Sequence, residues 1–414
     1  MGQSTDDLSA LMHGKRRILF IAEAVTLAHV ARLLALAKSL DRSRYEICFA
    51  CDPRYNSLIG KPDFPVLPVK TIPGERFFAA LSKGSPIYDT DTLDGYVKED
   101  IQLIKDFNPS LIVGDFRLSL SVSARITAVP YATITNAYWS PYAKIRYPVP
   151  EIPLTRAMGA PLAQLLFNFS RPLVFAIHSL PLNRLRRRYG LSNLKFDLRH
   201  IYTEADYTLY ADLPNLVPTS ALPAHHAFIG PILWSPEVTQ PSWWNALPEN
   251  KPIVYLTLGS SGQRRLLPTI FQALSELPVS VIAATASQFA PTEVPANVFV
   301  ADFLPGSAAT ARSQLVICNG GSPTCYQALA AGIPVVGIAS NLDQYMNMIL
   351  VQDAGAGTLI RAGQAPAALI RKSVENLLGS VSAKRSAERL KLAIDQYAMA
   401  ERFTTLVDKI YENG

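Results

Sequence analysis

Residues 17–23 (RILFIAE) carry five consecutive apolar positions, too few for a buried helix and enough for a strand covered on both faces. Directly after them, Val30, Leu33, Leu34, Ala37 and Leu40 recur every three or four positions, the stripe of an amphipathic helix. The same pattern predicts strands over 45–50, 111–115 and 131–134, and a helix over 96–107 stopped by Asn108-Pro109. It breaks over 136–231, where Pro- and aromatic-rich text (NAYWSPYAKIRYPVPEIP) leads into a helical stretch ending in Arg184–Arg188. It then restarts, with strands over 253–259, 280–286, 298–303, 315–319, 334–340 and 358–360. Strands alternating with helices pair in parallel and are covered on both faces, so the expected fold class is α/β with open sheets.

With 414 residues, two or three domains are expected, since single cores seldom grow that large. The first runs over 1–230, with an insertion at 138–201 shaping a cleft. A proline-rich linker covers 231–252, a second α/β domain 253–395, and the last helix, 396–414, is a candidate strap back to the first domain. Charged residues are only 17% and apolar ones 49%, which excludes disorder. A net charge of +6 suits an anionic ligand or a membrane surface and does not call for nucleic acid. Four cysteines cannot build a disulfide scaffold, and Cys48 and Cys51, three apart on one strand, point to opposite faces. They read as buried thiols. The polar stretch 1–17 has no apolar core of a secretory signal, which implies a cytoplasmic chain, with contact at the inner face of the membrane left open. Glu23, His29 and Arg32 argue against a span over 18–36. Arg171, His178 and two internal prolines favour buried or surface-lying helices over a span at 161–182.

Ligands of open parallel sheets bind beyond the carboxyl ends of the strands. Asp115 closes one strand and His29 opens the helix after another, so both face one crevice edge. An imidazole oriented by a carboxylate is suited to take a proton from a hydroxyl, although a satisfied helix-start histidine and a capping aspartate would look alike in sequence. In the second half, Asn319-Gly320-Gly321-Ser322-Pro323-Thr324 turns a strand into a helix, leaving outward amide N–H groups and a positive helix end suited to phosphate. Gly259-Ser260-Ser261-Gly262 is a similar turn, and two such turns at one cleft fit a diphosphate. Asp343-Gln344 follows a further strand, where a carboxylate and an amide could hold sugar hydroxyls. Asp89-Thr90-Asp91 follows no apolar strand and reads as a cap or loop, with no metal implied. The clusters Lys15–Arg17 and Arg184–Arg188 read as solvated charge.

The stretch 319–344 (NGGSPTCYQALAAGIPVVGIASNLDQ) resembles the donor-binding signature of UDP-glycosyltransferases of the GT-B fold, including the plant secondary-product and bacterial macrolide types. Phe303-Leu304-Pro305, GPILWSP at the domain junction, TLGS at 257–260 and AHVARLLALAKSL at 28–40 extend the resemblance over most of the chain except 138–201. It implies two Rossmann-like doubly wound domains facing a cleft. It also implies an inverting, metal-independent hexosyltransferase that needs no cofactor beyond its nucleotide-sugar donor, with UDP preferred over dTDP. The acceptor would be a hydroxyl on an apolar small molecule or lipid. By the same resemblance His29 is the base and Asp115 its orienter. Phe303 and Leu304 lie at the donor's base, and Ser260, Gly320, Gly321, Ser322 and Thr324 at the diphosphate. Asp343 and Gln344 lie at the sugar. Two positions depart from the family pattern: Asn319 stands where a phosphate-contacting histidine is usual, and Gln327 where a ribose-binding glutamate is usual. These departures motivate an auxiliary protein with a decayed donor site as one alternative; a nucleotide-sugar epimerase of the same architecture is the other.

Overall fold

The computed structural model describes residues 14–286 and 294–412, so the expectation drawn from the polar start falls mostly outside the described residues. Two all-parallel sheets carry the chain. The first contains β1 (Arg16–Ala22), β2 (Tyr45–Cys51), β3 (Val66–Pro68), β4 (Leu111–Asp115), β5 (Tyr131–Thr135), β6 (Tyr207–Tyr210) and β7 (His226–Phe228), ordered 3-2-1-4-5-6-7. The second contains β8 (Ile253–Thr257), β9 (Ser280–Ala284), β10 (Val298–Ala301), β11 (Leu315–Cys318), β12 (Val335–Ala339) and β13 (Gly357–Arg361), ordered 10-9-8-11-12-13. Strand order reverses between β1 and β4 in one sheet and between β8 and β11 in the other. At such switch points the flanking connections diverge and open a crevice.

Both faces of the first sheet are covered, and the cysteines show it. Cys48 packs with Leu19, Ile21 and Ile112 on one face, and Cys51 with Ile18, Phe20 and Val113 on the other. Burial pushes their thiols up, to about 11 and about 12. All four cysteines are free and buried. Asp89 caps the helix Thr90–Phe107 by accepting the Thr92 N–H, which accounts for the Asp-Thr-Asp sequence.

The region 138–201 is dominated by the helix Pro153–Arg188, interrupted at Gly159, whose φ of 76° is one glycine adopts freely. It buries Ala163, Phe167, Phe175 and Leu182 against the first sheet's side of the cleft. The arginine run at its end is only partly solvated. Arg186 is buried and donates to the Ser121 and Ser192 carbonyls, while Arg188 pairs with Asp91.

The helix Val381–Asp395 packs on the helix Ser322–Ala330 of the second sheet. After Ala398, whose φ is 48°, the helix Met399–Glu412 crosses to the first sheet and buries Phe403, Val407 and Ile410 among Ile18, Phe20 and Leu33. Asp408 ties it there by accepting from Arg16 at 2.9 Å and Arg44 at 2.6 Å. At the crossing the Tyr397 ring lies against Gly230, φ +89°, where a Cβ would come within 2.5 Å of the ring.

Candidate active site

Each switch point contributes one half of the site. The register pairs Ala22 of β1 with Asp115 of β4, so the carboxylate sits where the chain leaves β1 for the helix Leu27–Ser39. His29, in the first turn of that helix, has Nδ1 2.7 Å from Asp115 Oδ1. Asp115 is 1% exposed, and Arg32, one turn further on, grips it with both ends of its fork, Nε–Oδ2 2.8 Å and Nη2–Oδ1 2.9 Å. Burial acts to lower the Arg32 pKa, but the adjoining Asp115 carboxylate outweighs it and holds the guanidinium above its ordinary range. With Nδ1–H donated to Asp115, His29 Nε2 carries the lone pair, the form that accepts a proton. The ring is clamped from one side by Phe116, stacked at 4.8 Å and 8°. Phe116 holds φ 58°, a strained conformation for an aromatic residue, and packs in turn on Phe77, Tyr88 and Tyr202.

From Arg32 a buried polar chain runs to the second sheet. Arg32 Nη1 donates to Asn136 Oδ1 at 2.7 Å, and Asn136 Nδ2 donates to both oxygens of Asp212 at 3.1 Å. Asp212 also accepts the Ala137 N–H at 2.6 Å and the Tyr326 hydroxyl at 2.8 Å. Burial pushes the Asp212 carboxyl up, and these donors work against that shift. Tyr326 and Ser322, whose Oγ donates to Asn136 at 3.3 Å, belong to the second sheet's helix Ser322–Ala330.

That helix starts from the glycine turn after β11 without a side-chain cap. Gly320 has φ +81°, and a Cβ there would lie 2.6 Å from Met348 Cγ, so only glycine fits. Gly320 therefore shapes the turn from behind, between Asn319 and Gly321, which line the cavity. Asn319 joins the two glycine turns: Oδ1 accepts the Gly321 N–H at 3.0 Å, and Nδ2 donates to Ser261 at 2.9 Å. Ser260 and, from the first sheet's side, Tyr55 both line the cavity. Gln327 Nε2 donates to the Trp234 carbonyl of the linker. Asp343 Oδ1 accepts the Trp139 indole N–H at 2.8 Å, across the cleft. Gln344 forms a capping box with Asn341, its Oε1 also accepts the Ser340 N–H at 2.9 Å, and its Nε2 is buried with no hydrogen-bond partner.

Ten of the expected donor-side residues, Ser260, Phe303, Leu304, Asn319, Gly321, Ser322, Thr324, Gln327, Asp343 and Gln344, line one cavity of about 770 Å³ together with His29 and Asp115. That volume is of the order a sugar donor with an acceptor would need. Its first-sheet wall is apolar, with Phe77, Phe116, Trp139, Phe175 and Tyr202 prominent. Sequence reasoning did not single out Arg32, Phe116, Asn136, Trp139 or Asp212. For Arg32 a signal existed in its spacing of three from His29, which puts both on one helix face. Among the described residues no group of three or more His, Cys, Asp or Glu side chains could hold a metal ion.

Two sheets meeting at a cleft, with an imidazole–carboxylate pair opposite a glycine-rich helix start, define a GT-B glycosyltransferase. The spinosyn forosaminyltransferase SpnP shares this fold with a TM-score of 0.70 at 17% identity, covering 96% of this chain and 99% of that one. The spinosyn rhamnosyltransferase SpnG complexed with thymidine diphosphate does so with a TM-score of 0.67 at 19% identity, covering 94% and 99%. Residues 268–402 match the family described as erythromycin biosynthesis protein CIII-like, C-terminal domain. A "PGL/p-HBAD biosynthesis glycosyltransferase" of Mycobacterium tuberculosis (strain ATCC 25177 / H37Ra) is 52% identical over 376 residues, 91% of this chain and 88% of the relative. A "PGL/p-HBAD biosynthesis rhamnosyltransferase" of Mycobacterium bovis (strain BCG / Pasteur 1173P2) is 52% identical over 385 residues, 93% of this chain and 86% of the relative. The chain belongs to this family of PGL/p-HBAD biosynthesis glycosyltransferases, within the macrolide-type UDP-glycosyltransferase superfamily. It is accordingly a hexosyltransferase.

Proposed function

We propose that the enzyme transfers a deoxyhexose, with inversion, from a nucleoside-diphosphate sugar to a hydroxyl of an apolar small-molecule or lipid acceptor. The observation that carries this is the His29–Asp115 pair facing the Gly321–Thr324 helix start across one cavity. His29 Nε2 takes the acceptor hydroxyl proton as the oxygen bonds to the anomeric carbon. The bond from that carbon to the diphosphate oxygen breaks, and the electron pair leaves with the diphosphate. Attack from the side opposite the leaving group inverts the anomeric centre. Asp115 stabilises the imidazolium, and the amide N–H groups and dipole of the helix start take up the charge of the diphosphate, so transfer is expected to persist in chelator. The unpartnered Gln344 Nε2 is a donor that a sugar hydroxyl would satisfy. The apolar wall from Phe77 to Tyr202 suits a hydrophobic aglycone.

Gln327 bears on the choice of donor nucleotide. A carboxylate at that position would accept from ribose hydroxyls, whereas Gln327 is neutral and its Nε2 is committed to the Trp234 carbonyl. The weaker demand for ribose hydroxyls favours a deoxyribose, and hence dTDP over UDP. The names of the rhamnosyltransferase relative and of the thymidine-diphosphate complex of SpnG support the same choice. Thermal stabilisation by a panel of dTDP-, UDP- and GDP-sugars tests it, with the largest shift expected for a dTDP-deoxyhexose. His29→Ala is expected to keep that stabilisation and lose about 10²- to 10⁴-fold in turnover. Unchanged turnover in this variant would remove His29 from the role of base.

A further inference from the structure

The helix Pro153–Arg188 has two apolar faces, and only one is covered. Phe167 and Phe175 are buried and, with Val174 and His178, line the cavity. On the other side Leu162, Leu165, Leu166, Phe169, Leu173 and Ile177 are exposed, Phe169 by 80% and Leu173 by 65%. Their spacing of three and four places them in one stripe along the helix. Soluble monomers seldom present a contiguous apolar surface of this kind without a partner.

Charge identifies the partner. The 36 residues of the helix contain no Asp or Glu and six arginines, of which Arg156, Arg184, Arg187 and Arg188 are exposed beyond the two ends of the stripe, Arg188 paired with Asp91. A second copy of this chain would bring the same acid-free, arginine-bearing helix against itself, with like charges facing. An anionic bilayer surface offers hydrocarbon for the stripe and phosphates for the arginines. Length and hydropathy alone would allow the helix to span a membrane. Its Phe167, Phe175 and Leu182 face, however, is packed into the protein core, and Gln164 holds its first half to the Val149 N–H and the Tyr147 carbonyl. The helix therefore lies in the interface and does not cross.

We infer that the stripe from Leu162 to Ile177 docks the enzyme on anionic lipid, with Phe169 and Leu173 inserted at the headgroup boundary. Because docking stripe and cavity wall are two faces of one helix, an apolar acceptor held in the bilayer enters beside Val174 and Phe175 and reaches His29 without crossing water. Docking itself is independent of the proposed transfer; the delivery of acceptor rests on it.

Co-sedimentation of the full chain with phosphatidylcholine vesicles, with and without phosphatidylglycerol, tests the inference. Binding is expected to require phosphatidylglycerol and to weaken with salt. F169E/L173E, both changes at exposed positions off the cavity wall, is expected to weaken binding about tenfold or more, with an unchanged melting temperature and unchanged turnover of a water-soluble acceptor. Absence of binding to phosphatidylglycerol vesicles, or equal binding by the variant, overturns the docking surface. So does a dimer in sedimentation velocity that F169E/L173E dissolves while neither protein binds vesicles. Vesicle binding lost in the variant, with no transfer by either protein, would sink the transferase chemistry and leave docking standing.

Discussion

Asp115 serves two partners at once: His29 Nδ1 at 2.7 Å and the Arg32 fork at 2.8 and 2.9 Å. Arg32 is thus the cation paired with a fully buried carboxylate beside the base. Arg32→Leu removes the cation and leaves the charge, which is expected to destabilise the fold by about 3–5 kcal/mol in urea unfolding. A loss under 1 kcal/mol would mean that Asp115 is compensated elsewhere. A second histidine supplies a pH dependence. Burial first, then the neighbouring His225 and His200, lowers His226 to about 4 from its ordinary 6.5. Between those values the unfolded chain takes up a proton that the folded chain refuses, so this contribution to stability is present above pH 6.5 and is lost as pH falls toward 4. Melting temperatures of wild type and His226→Gln should converge as pH is lowered through that window. A constant difference would show that His226 does not titrate as its surroundings dictate.

The elements that position the site were largely visible in the hydrophobic pattern, because strands buried on both faces must be continuous apolar runs. β1, β4, β8 and β11, which flank the two switch points, are of that kind, and the residues just past them were legible as site residues for the same reason. The short strands β3, β6 and β7, of three or four residues, carry no such run and were not foreseen. Missing β6 hid Asp212, two residues beyond its end, and with it the link to Tyr326. Asn319 was readable as a turn residue, but its partner Ser261 lies 58 positions earlier, a pairing that only the adjacency of β8 and β11 creates. The glycine turn itself can be tested. Gly320→Ala would place a methyl 2.6 Å from Met348 Cγ at φ +81°, a conformation costing roughly 1–3 kcal/mol in a non-glycine residue. The expected result is a lower melting temperature together with weaker nucleotide-sugar binding, since Gly321 and Ser322 must move with the turn. Stability lost with donor affinity intact would separate the turn from the donor site.

The two sheets are joined by hydrogen bonds across the cleft, and two of them, Tyr326 to Asp212 and Ser322 to Asn136, lead to the base. Tyr326 on the donor side donates to Asp212 on the acceptor side at 2.8 Å, and Asp212 is linked through Asn136 to Arg32 and so to Asp115. Trp139 to Asp343 and Tyr345 to Glu151, at 2.7 Å, are further bridges, but neither belongs to the hydrogen-bonded chain through Asp212 and Asn136. Tyr326→Phe keeps the ring in its core and deletes one donor to a buried carboxylate, a loss of about 1–3 kcal/mol. Because the partner sits on the other side of the cleft, opening relieves the unsatisfied Asp212 by admitting water, so the cost falls on the closed state. A shift of about 1–2 kcal/mol toward opening lowers the apparent affinity for a donor that needs closure by up to roughly fivefold to thirtyfold. The expected outcome is a raised donor KM, a smaller change in kcat at saturation, and a larger radius of gyration in X-ray scattering without donor. If Tyr326→Phe instead lowers the melting temperature while KM and the scattering profile stay as in wild type, the bond is part of a permanent interface and the base is not coupled to closure.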